Sequence, residues 1–145
     1  MKFGKELRSL ITNCNNQMKI SIDFDGTLTE KLVQDYAKSL INKGFEVFVC
    51  TFRTKEYNDA LFRVVDKSVP ANSDLYKVTD LLRIPRENII FTEMEEKSKF
   101  LDESFICHID DDWTVIKDLE INSKVKPIDV LQFDWKIQCN KLLQL

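Results

Sequence analysis

The sequence contains no CxxC pair, no block of basic residues, no internal repeat or low-complexity segment, and no apolar run of membrane-spanning length. Each absence excludes a class of function. The four cysteines, Cys14, Cys50, Cys107 and Cys139, lie far apart, and two sit inside apolar runs where a thiol behaves as a small hydrophobe. They read as reduced thiols, not as a disulfide scaffold. Lys and Arg number 21 against 24 Asp and Glu, and the basic residues are spread along the chain. That spread argues against a large nucleic-acid or membrane footprint and points to a small or local partner. The opening residues, MKFGKELRSLI, hold no apolar stretch of signal-peptide length, so the expected location is the cytoplasm. At 145 residues and 43% hydrophobic, the chain is expected to form a single domain over residues 1–145.

Short β-rich runs alternate with longer helical patterns, which predicts an α/β fold: βαβ units around a parallel sheet with both faces covered. Five strands are expected, at residues 19–24, 46–51, 88–92, 105–109 and 125–130. A helix over residues 31–43 would place Leu32, Tyr36, Leu40 and Ile41 on one face and stop at Gly44. Further helices are expected at 57–66 and at 73–82, where Ser73 or Asp74 is available as a cap. Shorter ones follow at 97–102 and 114–119. Helices at 2–16 and 132–145 would pack outside a core spanning residues 19–130.

Ligands of an open parallel sheet bind at the carboxyl ends of its strands, and the polar residues of this chain gather there. The first strand runs into Asp23, Asp25, Gly26 and Thr27. The second ends at Thr51 and Arg53, and the fourth at Asp110, Asp111 and Asp112, while Lys97 opens the segment after the third. Carboxylates crowded from separate strands repel one another, and a hard cation such as Mg²⁺ is the usual relief. Two residues of extended chain span about 6.6 Å and return to one face, so Asp23 and Asp25 could address one substrate from two positions. They need not do the same job: a carboxylate on Mg²⁺ stays ionised and can act as a nucleophile, whereas one held farther from the metal among other acids can keep its proton and serve as an acid. Gly26 allows a sharp turn and Thr27 braces it through its hydroxyl.

The stretch DFDGT after an apolar strand resembles the first motif of the haloacid dehalogenase superfamily of phosphotransfer enzymes. VFVCT ending at Thr51, the lysine of EEKSKFL and the acids of FICHIDDD resemble its other motifs, in order. The resemblance covers residues 19–130 and implies a three-layer Rossmann-like fold with a five-stranded parallel sheet in the order 5-4-1-2-3. It implies that Asp23 forms an aspartyl-phosphate and that Asp25 protonates the leaving oxygen and then activates water. Thr51 would hydrogen-bond the phosphoryl group, and Lys97 would neutralise charge on nucleophile and phosphate. Mg²⁺ would be held by Asp23, Asp110 and the main-chain carbonyl of Asp25, with Asp111 as a second or water-bridged ligand. Gly26, Thr27 and Arg53 complete the expected substrate-binding set.

Several positions admit two readings. Lys99 lies two residues from Lys97, although the spacing to FL resembles the family pattern better from Lys97. Arg53 either clamps phosphate or pairs with an acid. His108 reads as a hydrogen-bonded core residue, Asp112 as solvated, and Trp113 as a packing residue, with stacking at the mouth as its alternative. Only one helix separates the first two strands, and residues 52–87 hold too little for a folded cap, so no cap domain is expected. An open site suits a phosphate displayed on a protein, a nucleotide, or a small molecule enclosed by a second copy in a homo-oligomer; nucleic acid is disfavoured by the lack of a basic stripe. The expected activity is a Mg²⁺-dependent phosphomonoesterase. The alternative is a weakly catalytic protein that sequesters a phosphorylated ligand or nucleotide.

Overall fold

The structure, a computed structural model, describes residues 18–56 and 70–145. The helices expected at 2–16 and 57–66 lie outside the described residues. Five strands, β1 (Lys19–Ile22), β2 (Glu46–Thr51), β3 (Ile89–Phe91), β4 (Phe105–Asp110) and β5 (Lys126–Asp129), pair in parallel throughout. Their order is β3-β2-β1-β4-β5, which is 5-4-1-2-3 when read from the opposite edge. Among the described residues four helices, α1 (Lys31–Asn42), α2 (Ser73–Leu81), α3 (Trp113–Asn122) and α4 (Trp135–Leu143), accompany the sheet in a Rossmann-like α/β arrangement. No helix among the described residues is long and apolar enough to cross a membrane.

Strand alternation divides the apolar residues between two cores. Val47 and Val49 of β2 join Ile20, Ile22, α1 and α4 in the larger one, whereas Cys50 joins Val115 and Leu119 of α3 in the smaller one. The C-terminal helix belongs to the larger core. Trp135, Cys139 and Leu143 recur at helical spacing and are buried; Trp135 meets the Tyr36 ring edge-on at 5.0 Å, and Tyr36 donates to Asn140 Oδ1 at 2.6 Å.

The buried face of α1 differs from the expected one. Val33, Tyr36, Ala37 and Leu40 are buried, whereas Leu32 is 66% exposed. The positions at i, i+3, i+4 and i+7 from Val33 form the stripe, and Leu32, about 100° of helix from Val33, lies outside its edge at Tyr36. Gly44 ends the helix as expected, with φ of 93°, Gly44 N–H donating to Ile41 O and Phe45 N–H to Leu40 O. The residue preceding α2 is Asn72, in the left-handed region at φ 60°, so Ser73 and Asp74 lie inside the helix and do not cap it. The helix expected at 97–102 is a single 3₁₀ turn, Lys97–Lys99.

This packing sets a stability test. Leu40→Ala removes a fully buried side chain and should cost about 2–5 kcal/mol, whereas Leu32→Ala should change stability by less than about 0.5 kcal/mol. Urea unfolding of both variants measures it, and equal losses would place the buried stripe of α1 elsewhere.

Candidate active site

Strand β1 ends at Ile22, two residues earlier than expected, and this changes how its two acids are presented. Asp23 N–H still donates to Ile109 O at 2.9 Å, which keeps Asp23 against the end of β4. Asp25 (φ −66°, ψ 121°) and Gly26 (φ 76°, ψ 1°) then take the central angles of a type II turn, in which the second position favours glycine. A Cβ at Gly26 would also run into the Asp111 carboxylate. The expectation that Asp23 and Asp25 share one face of extended chain is therefore corrected. Asp23 is buried, Asp25 is exposed, and the turn, not strand alternation, brings both to one cavity. Thr27, fully buried, braces the turn as expected by donating to Asp23 Oδ2 at 3.1 Å.

Lys97 arrives from the turn after β3 and is 1% exposed. Its Nζ donates to Asp23 Oδ1 and to Asp110 Oδ2, each at 2.7 Å. Burial alone would lower the Lys97 pKa, but the two carboxylates outweigh it and hold the amine charged. The turn is pinned from α3, where Asp118 accepts from Ser98 N–H at 3.1 Å and Ser98 Oγ at 2.7 Å. Asp118 lies 20 residues from Ser98 and carries no local sequence signal. Lys99 points outward to Glu95 at 2.9 Å, so Lys97 is the lysine of the site.

Behind the acids lies a buried polar relay. His108, fully buried as expected, places Nε2 at 2.6 Å from Asp110 Oδ2 and Nδ1 at 2.8 Å from Ser21 Oγ. Burial lowers the His108 pKa and keeps the ring neutral. An ionised carboxylate only accepts, so Nε2 carries the proton and Nδ1 accepts from Ser21. Burial pushes Asp110 upward, but His108 and Lys97 together overcome it and hold Asp110 well below the usual carboxylate range. Asp23 goes the other way. Burial, with Asp110 and Asp111 nearby, pushes it up to about 7 against the pull of Lys97. Asp111 is raised as well, by burial and by Asp110.

Arg53 pairs with acids. Its Nε and Nη2 hold Asp25 at 2.9 and 2.7 Å, its Nη1 and Nη2 hold Asp74 of α2 at 2.8 and 2.9 Å, and its guanidinium lies 4.9 Å from the centre of the Phe24 ring. Asp74, unremarked in the sequence except as a possible cap, is thus part of the site's frame. Thr51 is buried at the end of β2, its Oγ1 accepting from Arg53 N–H at 3.3 Å. Asp112, expected to be solvated, caps α3 by accepting from Thr114 N–H at 2.9 Å. Trp113, read first as a packing residue, is 70% exposed. Asp23, Asp25, Thr51, Asp110 and Asp111 open with Phe52, Asp112 and Trp113 onto a cavity of ≈ 390 Å³. A cavity of ≈ 490 Å³ at the sheet edge, between Tyr76, Arg86 and Phe91, contains none of these acids.

No family model, curated protein or solved structure matches this chain. The site's chemistry therefore rests on its own geometry. One oxygen from each of Asp23, Asp110 and Asp111 lies within 4.8 Å of the others, a hard-donor set that fits Mg²⁺. The Asp25 carboxylate is not in this group; its oxygens are engaged by Arg53.

The raised pKa of Asp23 has a measurable consequence. An acid raised in the folded state contributes stability fully below about pH 4 and loses it as pH rises to about 7. His108, lowered in the fold, has the opposite slope below about pH 6.5, so the wild type alone mixes the two. In metal-free buffer, the melting temperature of the wild type minus that of Asp23→Asn should fall between pH 4 and 7 and level off above. A difference independent of pH would show that Asp23 titrates normally.

Proposed function

We propose that the chain is a Mg²⁺-dependent phosphomonoesterase of the haloacid dehalogenase type, working through an aspartyl-phosphate on Asp23. The observation that carries this reading is the Lys97 ammonium held between Asp23 and Asp110 at the carboxyl ends of adjacent strands, beside an open cavity. Asp23, Asp110 and Asp111 would hold Mg²⁺, which when bound offsets negative charge on the acids and on the incoming phosphate. Asp23 attacks phosphorus as the ester P–O bond breaks, Lys97 opposes charge on the nucleophile, and Thr51 offers its hydroxyl to a phosphate oxygen. Asp25 gives its proton to the leaving oxygen. It then takes one from the water that attacks the phospho-enzyme, which releases phosphate and restores Asp23. For this, the Asp25 carboxylate, ion-paired with Arg53 before substrate binds, turns from the guanidinium toward the ester oxygen and takes up a proton from solvent as it does so; the water step returns that proton to it. Cys50, Cys107 and Cys139 are free thiols, which supports a reducing, cytoplasmic setting as part of the proposal.

Asp23→Asn keeps the shape of the nucleophile and removes its function, so hydrolysis of a broad panel of phosphate esters should fall to background. Asp25→Asn should keep a first burst with an activated aryl ester and accumulate base-labile phosphate on the protein. Millimolar Mg²⁺ should raise the melting temperature of the wild type, and Asp110→Asn should abolish most of that rise. A wild type that binds phosphorylated ligands with no turnover across the panel would make the chain a sequestering protein. Metal-independent turnover would remove Mg²⁺ from the proposal.

A further inference from the structure

Phosphoryl transfer leaves one conspicuous part of the cavity unused. Trp113 is 70% exposed on the cavity wall, although tryptophan normally buries its ring. Its backbone is held at the start of α3, because Asp112 accepts from both Thr114 N–H and Thr114 Oγ1, at 2.9 and 2.7 Å, and so pins the first turn. Phe52 lines the same cavity from the end of β2. Strands β2 and β4 flank β1, so the two rings enter from segments on either side of Asp23.

The electrostatics of the lining narrow the occupant further. Five aspartates, Asp23, Asp25, Asp110, Asp111 and Asp112, line the cavity. The cations that meet them, Lys97 and Arg53, each already hold two carboxylates. Among the described residues the lining holds no uncommitted lysine or arginine, so a second anionic group on the substrate meets repulsion there, whereas a neutral planar group meets aromatic walls. A volume of ≈ 390 Å³ lies at the small end of ligand pockets and suits a ring-sized group.

Building on the phosphatase reading, we infer that the substrate is a phosphomonoester whose phosphate is carried on or beside a planar ring without a second anionic group, and that Trp113 is the specificity residue on which the ring stacks. The test compares phenyl phosphate with glycerol 2-phosphate for the wild type, Trp113→Ala and Trp113→Phe. The aryl ester has the better leaving group, so the wild-type ratio by itself says nothing about stacking; its change on substitution does. Trp113→Ala should lower the aryl-to-alkyl ratio of kcat/KM about tenfold, mainly through the KM for the aryl ester, while Trp113→Phe keeps most of it. 4-Carboxyphenyl phosphate should be used less well than phenyl phosphate by all three proteins.

A binding measurement is independent of turnover. The protein has two tryptophans, and the other, Trp135, is buried in the larger core. With Mg²⁺ present, phenylphosphonate should change tryptophan emission saturably in the wild type and methylphosphonate should not, and Trp113→Phe should abolish the response. An aryl-to-alkyl ratio unmoved by Trp113→Ala, with both esters hydrolysed, would overturn this inference and leave the phosphatase reading intact. Absence of turnover on both esters and across the wider ester panel, with the phenylphosphonate response intact, would overturn the phosphatase reading and keep the ring site. Absence of both signals would remove the two together.

Discussion

A single buried ammonium ties three separate segments of the chain together. Lys97 Nζ sits 2.7 Å from one oxygen of Asp23 at the end of β1 and one of Asp110 at the end of β4, on a turn that α3 holds through Asp118. An unpaired amine at this depth would be expelled or neutralised, and two buried carboxylates without it would repel. Each is tolerable only in the presence of the others, and removing one partner of such a set typically costs about 3–5 kcal/mol. Burial first, and then the negative charge of Asp110 and Asp111, push Asp23 up to about 7 despite Lys97, and the triad with Asp111 carries an excess of negative charge. Excess negative charge left after the internal cation has been spent is what makes a divalent ion or a proton a natural companion of the site.

The two acids of DFDGT are differentiated by backbone chemistry before any substrate arrives. A strand continued through residue 25 would give Asp23 and Asp25 similar surroundings. The turn at Asp25 and Gly26 instead sends Asp23 into the low-dielectric cluster and Asp25 outward to a guanidinium. Arg53 anchors that outer acid to α2 through Asp74, so the position of Asp25 depends on β2 and α2 as well as on its own turn. Two carboxylates two residues apart thus acquire different environments, in the opposite sense to the expected roles: without a metal ion the inner acid, Asp23, favours its proton, and the outer acid, Asp25, is paired with a guanidinium.

Much of this was legible in the sequence, and what was not has identifiable causes. Strand β2 spans the expected residues, because VFVC is bounded on both sides by polar residues, and the stop at Gly44 follows from its left-handed φ. The lysine was distinguishable from its neighbour by motif spacing, and burial of Lys97 against exposure of Lys99 agrees. Leu32 misled because it occupies an apolar position one residue off the stripe set by Val33 and Ala37, and hydrophobicity alone does not fix the phase of a short helix. Asp74 and Asp118 were invisible as site residues since their partners, Arg53 and Ser98, lie about twenty positions away in sequence. Trp113 departs from the expected packing role because the general burial of tryptophan says nothing about a residue that opens a helix beside a cavity.

The polar relay depends on one irregularity in the sheet. Lys19 pairs with Phe105, but Ile20 pairs with Cys107, so β4 contributes one extra residue at its start. Beyond that bulge Ser21 stands opposite His108 and Ile22 opposite Ile109, and directly paired residues of parallel strands point to the same face. His108 and Asp110 accordingly join Ser21 and Asp23, while Cys107 and Ile109 join Ile20 and Ile22 in the larger core. Had the pairing continued from Lys19 and Phe105 without the extra residue, His108 would stand opposite Ile22, and the imidazole and the Asp110 carboxylate would point into apolar packing. A shift of one residue exchanges every side chain of a strand between its faces. The bulge therefore selects which face of β4 is polar, and with it whether Asp110 can meet Lys97 at all.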